Sequence, residues 1–472
     1  MTADMDKPGL TAAVVEFACA HGFADIPDEA RHLVKRCVLD GLAVALAGTE
    51  QEAISVAERH LRKIGGASQS RVIGDASLRV PAHLSAFWNG LAGHAMDWDD
   101  TQLAEGPNRP YGLLTHPTMP PLSAGLAVAD MLGGVDGETF MTAFSAGFEA
   151  ECKIAEAINP DHYNCGFHTS GTIGTFGAAV CAGKLMGLDE TAMARTIGLA
   201  ASMASGIRAN FGTMGKPMHV GRASENGVTA ALLAAEGFTG DEHALDGPWG
   251  YLGVAGRGGE PENAIGRFGD PLSISNPGVS IKPYPCGVLT HPSMDAMALI
   301  MSEEGLAPDD VEQVTFYAGS NILKPIRYEL ASNELEGKFC MAFLLAAIII
   351  AGRAGKAEFT DGFVGSEPVQ AMQRKVSARF DQTIEDMGFD RIRSRVEVKT
   401  TDGREIIKWA DENYRGGPHN PLSDGEVEAK FSDCADGLLA GDRIAQLFET
   451  VWTLDRLPDV TILFDLLDWR SG

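Results

Sequence analysis

Ionisable and hydroxyl side chains crowd into five short stretches, most of them at the ends of apolar helical runs. The first is His94-Ala95-Met96-Asp97-Trp98-Asp99-Asp100-Thr101, which closes an apolar run with three carboxylates and a hydroxyl and no compensating Lys or Arg. Carboxylates at a helix C-terminus oppose the macrodipole, at about 0.3–1 kcal/mol each. Capping of the next segment accounts for one such Asp but not for the group. The set suits Mg²⁺ by type, yet no second acidic cluster partners it, so no metal is expected. The second stretch, Leu114-Thr115-His116-Pro117-Thr118, places His116 just before a helix starting near Pro120. The positive end of a helix disfavours imidazolium, which suits a neutral general base. The third, Asp161 to Gly171, puts His168 in the same position relative to the next helix. Its His162-x-x-Cys165-x-x-His168 spacing is reminiscent of a zinc site, but lone loop histidines are more often solvated or structural.

The fourth stretch, Arg208 to Arg222, is a cationic loop between apolar helices in a strongly acidic protein. Lys216 precedes Pro217, which biases its backbone to an extended form. Together with Arg208 it reads as an anion site, where cations and backbone N–H groups receive a carboxylate. The fifth, Lys282 to Ser293, offers Lys282, Cys286 and His291; Cys286 reads as packing, and His291 as the chemical group. Three histidines ahead of helices, an acidic cluster and two lysines in apolar surroundings suit proton transfer at a carbon beside a carboxylate. A base takes the C–H proton, cations hold the carboxylate as charge builds on it, and an acid assists any leaving hydroxyl. Such a site must exclude water, which a second domain closing over the first would do.

The positioning elements are mostly helical. The chain has 472 residues, 45% hydrophobic and 22% charged, a globular composition long enough for roughly two to four domains. Its net charge of −26 repels phosphate backbones and anionic headgroups, so neither nucleic acid nor a membrane is expected as partner. Eight scattered cysteines without a CxxC pair read as reduced thiols. The polar N-terminus and a longest apolar run of Phe339 to Gly352 fit a cytoplasmic protein. Helical periodicity dominates to about residue 270. Gly171, Gly174 and Gly177 lack the GxGxxG spacing and a preceding strand, and so read as close helix packing rather than a nucleotide loop. From about Asp270 to Arg415, strands (Val311–Ala318, and Arg393–Thr400 paired with Arg404–Trp409 across an Asp-Gly turn) mix with helices, an α+β texture. The tail is helical again. The expected architecture is mainly α: a large helical domain from residues 1–269 and 416–472, with an inserted α+β lid from 270–415.

The motifs HAMDWDDT, THPT, NPDHYNCGFHTSGTIGTFGAA, RANFGTMGKPMHVGRASENG, KPYPCGVLTHPSMDA and GGPHNPLSDGEVEAKFSDCA, in this order between residues 94 and 435, resemble the MmgE/PrpD family. That family includes 2-methylcitrate dehydratase, cis-aconitate decarboxylase and iminodisuccinate epimerase. The resemblance implies a homodimer without cofactor and a site between the two domains. Carried over by motif, Asp97 and Thr101 are the acid and hydroxyl of the first segment, and His116, His168, Lys216 and His291 the remaining chemical groups. His116 or His168 would be the base, Lys216 would bind a carboxylate, His291 would act as acid or clamp, and Asp97 would orient a histidine. Thr101, Arg208, Lys282 and Arg109 are the expected substrate contacts. Arg109 lies in a 102–115 segment longer than the family pattern, and if it enters the pocket it favours a substrate with another carboxylate. The decarboxylases carry a lid tyrosine ahead of the helix matching Lys338–Ala351, where this chain has Tyr317 and Tyr328 nearby. The expected activity is that of a lyase dehydrating a hydroxy di- or tricarboxylate such as 2-methylcitrate. The alternatives are an epimerase of a dicarboxylate, a decarboxylase, and a non-catalytic carboxylate-binding protein.

Overall fold

A computed structural model of the chain describes residues 9–103 and 113–470; Arg109 and Tyr111 lie outside the described residues. Long helices dominate the first half: Asp28–Gly48, Ala82–Ala95, Met119–Met131, Gly137–Ile158, Gly174–Leu185 and Gly215–Ala235 pack on one another. Small residues let their backbones approach. A Cβ on Gly48 would meet the Ala92 carbonyl oxygen at 1.9 Å, and one on Gly177 would meet a Glu151 oxygen at 2.6 Å. The glycine series at 171, 174 and 177 therefore serves helix packing. The mostly helical reading of the first half needs correction at two short antiparallel pairs, one of them Gln102–Leu103 with Leu113–Thr115. Ser70–Val72 and Asp75–Val80 form a hairpin, turned at Gly74, whose φ is +88°. It is fastened to the Met119–Met131 helix by Ser70 Oγ donating to the Ala127 carbonyl (2.7 Å) and Arg71 N donating to Asp130 (2.7 Å).

The sheet after residue 300 has the strand order Val376–Phe380, Val311–Ala318, Ser394–Thr400, Glu405–Trp409. The expected hairpin is present, with Gly403 at φ +89°. Val376–Phe380, which pairs parallel with Val311–Ala318, was not expected. It is an edge strand whose last three residues are exposed, so it lacks the alternation that betrays a half-buried strand. Helices His291–Glu303 and Met341–Ala351 share a core with the sheet through Met294, Phe316, Phe343 and Val396. The tail returns to the N-terminal helices. Phe431, Leu447 and Phe464 join Val34, Val38 and Leu42 in one core, and buried Lys430 pairs with Asp40 at 2.6 Å. Among the described residues no helix is long and apolar enough to cross a membrane.

Candidate active site

The Ala82–Ala95 helix ends where Asp97 takes a left-handed backbone (φ +55°), an uncommon conformation for a residue other than glycine. Its carboxylate meets two ammonium groups, Lys216 Nζ at 3.0 Å and Lys282 Nζ at 2.8 Å, and Lys282 also donates to the Asp97 carbonyl at 2.8 Å. Burial alone would raise the Asp97 carboxyl, but the two lysines outweigh it and hold it well below the usual range. Two residues on, Asp99 accepts from His94 Nδ1 at 2.8 and 2.9 Å. It also stands 3.2 Å from His116 Nδ1, close enough for charge attraction but off the line of a hydrogen bond. The carboxylate that orients histidine is thus Asp99, not Asp97. The left-handed turn at 97 sends that side chain to the lysines and leaves the next acid facing the imidazoles.

Lys216 Nζ donates to His94 Nε2 at 2.8 Å, so Asp99, His94 and Lys216 form one continuous chain. Burial outweighs the pull of Asp99 and, with Lys216, brings His94 down to about 3; the ring is neutral, with its proton on Nδ1. Lys216 itself is lowered by burial against the opposing field of Asp97. It sits in the first turn of Gly215–Ala235 rather than in the extended form expected ahead of Pro217, because first-turn positions need no N–H donor. His168 flanks the short Thr169–Thr172 helix. Its Nδ1 lies 3.0 Å from His219 Nδ1, and its ring centroid is 5.5 Å from that of His94, itself 4.6 Å from that of His116. Burial first, then Lys216, holds His168 well below the usual imidazole range, and burial lowers His116 as well.

One cavity gathers Asp97, Thr115, His116, Tyr163, His168, Thr169, Ser170, Phe211, Lys216 and Lys282 from one side. From the other come Gly287, Val288, Leu289, Thr290, Ile322, Pro325, Ile326, Lys338 and Phe339. Phe211 and Phe339 stack at 5.6 Å across it, with the Lys216 ammonium over both rings. Lys338 Nζ donates to the Ala95 carbonyl at 3.0 Å. Five sequence-expected residues, Asp97, His116, His168, Lys216 and Lys282, therefore line one space. Three others do not. His291 is buried behind it, edge-on to Tyr284, with Nε2 toward the Cys286 carbonyl at 3.3 Å. Thr101 bridges to Ser280 through its backbone, and Arg208 lies over the Tyr163 ring and donates to the Tyr163 carbonyl. Arg109 lies outside the described residues. Sequence reasoning missed His94, Asp99, Tyr163, Lys338 and His219 as members. The first two stand in the same acidic motif as Asp97, and their spacing was the available signal.

Among the described residues, three ammonium groups (Lys216, Lys282, Lys338) face this cavity against one lining carboxylate, Asp97. The surplus is positive inside a protein of net charge −26, so the interior is built to receive an anion. The ring nitrogens of His94, His116 and His168 lie within 4.8 Å of one another, a spacing that could hold a cation. The His94 Nε2 lone pair, however, already accepts from Lys216, and ammonium groups beside it oppose a metal ion. The arrangement is suited to receiving an anion and to proton transfer by neutral imidazoles.

The model of the MmgE/PrpD N-terminal domain matches residues 12–264 and that of the C-terminal domain residues 284–454. The chain belongs to the MmgE/PrpD family. Cis-aconitate decarboxylase of Homo sapiens is 26% identical over 470 residues, covering 98% of this chain and 96% of that protein. The enzyme of the same name from Mus musculus is 27% identical, covering 93% and 89%. That of Aspergillus terreus is 25% identical, covering 98% and 96%.

Proposed function

We propose that this cavity binds a di- or tricarboxylate and passes through a carbanion next to one of its carboxylates. The chain is an enzyme, a lyase of the MmgE/PrpD family. The observation that carries the substrate class is the meeting of three buried lysines and neutral histidines in one cavity. His116 is the better base of the two candidates. The imidazolium formed there has its Nδ1 3.2 Å from Asp99, whereas one formed at His168 faces Lys216 and His219. Lys216 and Lys282 hold the carboxylate as its charge builds, and Asp97 keeps both ammonium groups in place. The segment 270–415 acts as a lid over a helical body formed by 1–269 and 416–472, and Phe339 and Ile326 exclude water. The protein works in the cytoplasm, in keeping with eight free cysteines, and as a homodimer. Exposed Trp249 (93%) and Val254 (74%) are apolar side chains that a second copy would cover.

Loss of CO₂ is the first reading for the leaving group, because the relatives that match nearly end to end are cis-aconitate decarboxylases. The electron pair left by CO₂ is then conjugated onto a carbon next to a remaining carboxylate, and the protein delivers a proton to that carbon. One observation favours loss of water instead. Neither Tyr317, under Arg395, nor Tyr328, against Gly212, lines the cavity, so among the described residues the lid supplies no tyrosine. Incubation with cis-aconitate, 2-methylcitrate and amino- and hydroxy-dicarboxylates in D₂O, followed by proton NMR, separates the readings. A deuterated five-carbon dicarboxylate marks decarboxylation, an unsaturated tricarboxylate marks dehydration, and exchange without bond loss marks epimerisation. Binding of these anions with no change in any of them would leave a carboxylate-binding protein and no enzyme.

A further inference from the structure

Tyr163 stands in the Asp161–Asn164 turn, and everything about it except its hydroxyl is fastened. Its backbone N–H donates to Asn159 Oδ1 (3.2 Å), and its carbonyl accepts from Arg208 Nη1 (3.1 Å) and from the Gly166 N–H (3.0 Å). The Arg208 guanidinium covers the ring at 3.8 Å. Tyr163 is among the residues that line the cavity with His168 and Lys216, and its phenol Oη is buried with no hydrogen-bond partner among the described residues. A buried hydroxyl on a side chain held this firmly is an unmet donor, and buried donors are nearly always met. Thr169, next to His168, lines the same cavity, and its Oγ1 is equally unmet.

We infer that Tyr163 Oη is a substrate-contacting group, donating a hydrogen bond to a carboxylate oxygen of the bound polycarboxylate, with Thr169 Oγ1 as its neighbour in the same task. The inference rests on the polycarboxylate reading above. Burial first, against the opposing field of Arg208, raises the phenol above its ordinary range, which keeps it a donor. Arg208, expected from the sequence to touch substrate, instead positions the residue that does.

The test compares wild type with Tyr163→Phe, and with Thr169→Val as a second variant, by turnover of the reactive polycarboxylate and by calorimetric binding of citrate. Tyr163→Phe keeps the ring under Arg208 and removes only the unmet hydroxyl. The thermal midpoint of the ligand-free protein should therefore hold or rise, while kcat/KM and citrate affinity fall by about 10- to 100-fold. Thr169→Val should cost roughly tenfold on the same readouts. A lower ligand-free midpoint with unaltered citrate affinity would make Tyr163 a structural residue and overturn the inference. Wild-type kinetics and affinity in both variants would also overturn it, and would leave the polycarboxylate reading standing. Failure of the wild type to bind or turn over any polycarboxylate would overturn both.

Discussion

The two walls of the cavity are chemically unlike. The helical wall carries Asp97, His116, His168, Lys216 and, behind them, the Asp99–His94 pair. The facing wall, residues 287–339, carries Val288, Leu289, Ile322, Pro325, Ile326 and Phe339. Its polar members are Thr290, whose hydroxyl donates to the Gly287 carbonyl at 2.8 Å, and Lys338, which reaches back to Ala95. One wall holds groups whose charges must be placed to within an ångström. The other supplies a dry surface that makes those charges act strongly. The acid–base groups stand in or beside the ends of helices packed through glycine and alanine, and that packing fixes their positions.

Breaking the helical wall should have the largest effect. Lys216→Met removes the group that touches both His94 and Asp97 and should lower kcat by roughly 1,000-fold. The contrast is sharpened by Asp99→Asn, where the amide donates to His94 Nδ1 and forces the ring proton onto Nε2, facing the Lys216 ammonium. With the tautomer wrong, kcat should drop about 100-fold while the thermal midpoint changes little. On the facing wall, Phe339→Ala opens the stack with Phe211. A loss of roughly tenfold in kcat/KM is expected there.

Acid should separate the regions more gently. Burial above all lowers His94 and His291 to about 3 and His21, His162 and His219 to about 4. Unfolded, these rings titrate near 6.5. The stability they add is complete above about pH 6.5 and is lost as the pH falls through 4 toward 3. Asp100 opposes this. Burial raises it to about 7, so its contribution is full below about pH 3.8 and gone once the pH passes 7. Four of the five histidines lie in the helical region, so hydrogen exchange between pH 7 and 4 should lose protection there before it does in the sheet. Equal loss in both regions would contradict the assignment.

Much of this was legible in the residues. Helices such as Gly137–Ile158 and His291–Glu303 and the hairpin across Asp402-Gly403 follow from periodicity and turn chemistry. The hairpin at 70–80 hid because its strands are short, and its fastening to Asp130 is a contact distant in sequence. Within the site, residue types identified Lys216, His116 and His168, but roles depend on direction. Whether Asp97 or Asp99 meets histidine is decided by one backbone angle, φ +55°, which no spacing encodes. Lys338 escaped notice because it stands at the mouth of a long apolar run and reads as its solvated end, while the fold brings it to Ala95.

The most direct measurement is deuterium incorporation at the carbon next to the carboxylate, followed by proton NMR in D₂O for wild type and Lys216→Met with the reactive polycarboxylate. Solvent deuterium should enter that carbon at the rate of turnover in wild type and should be lost in the variant. Equal incorporation with a methionine at 216 would show that the lysine–histidine face of the cavity is not where the proton moves.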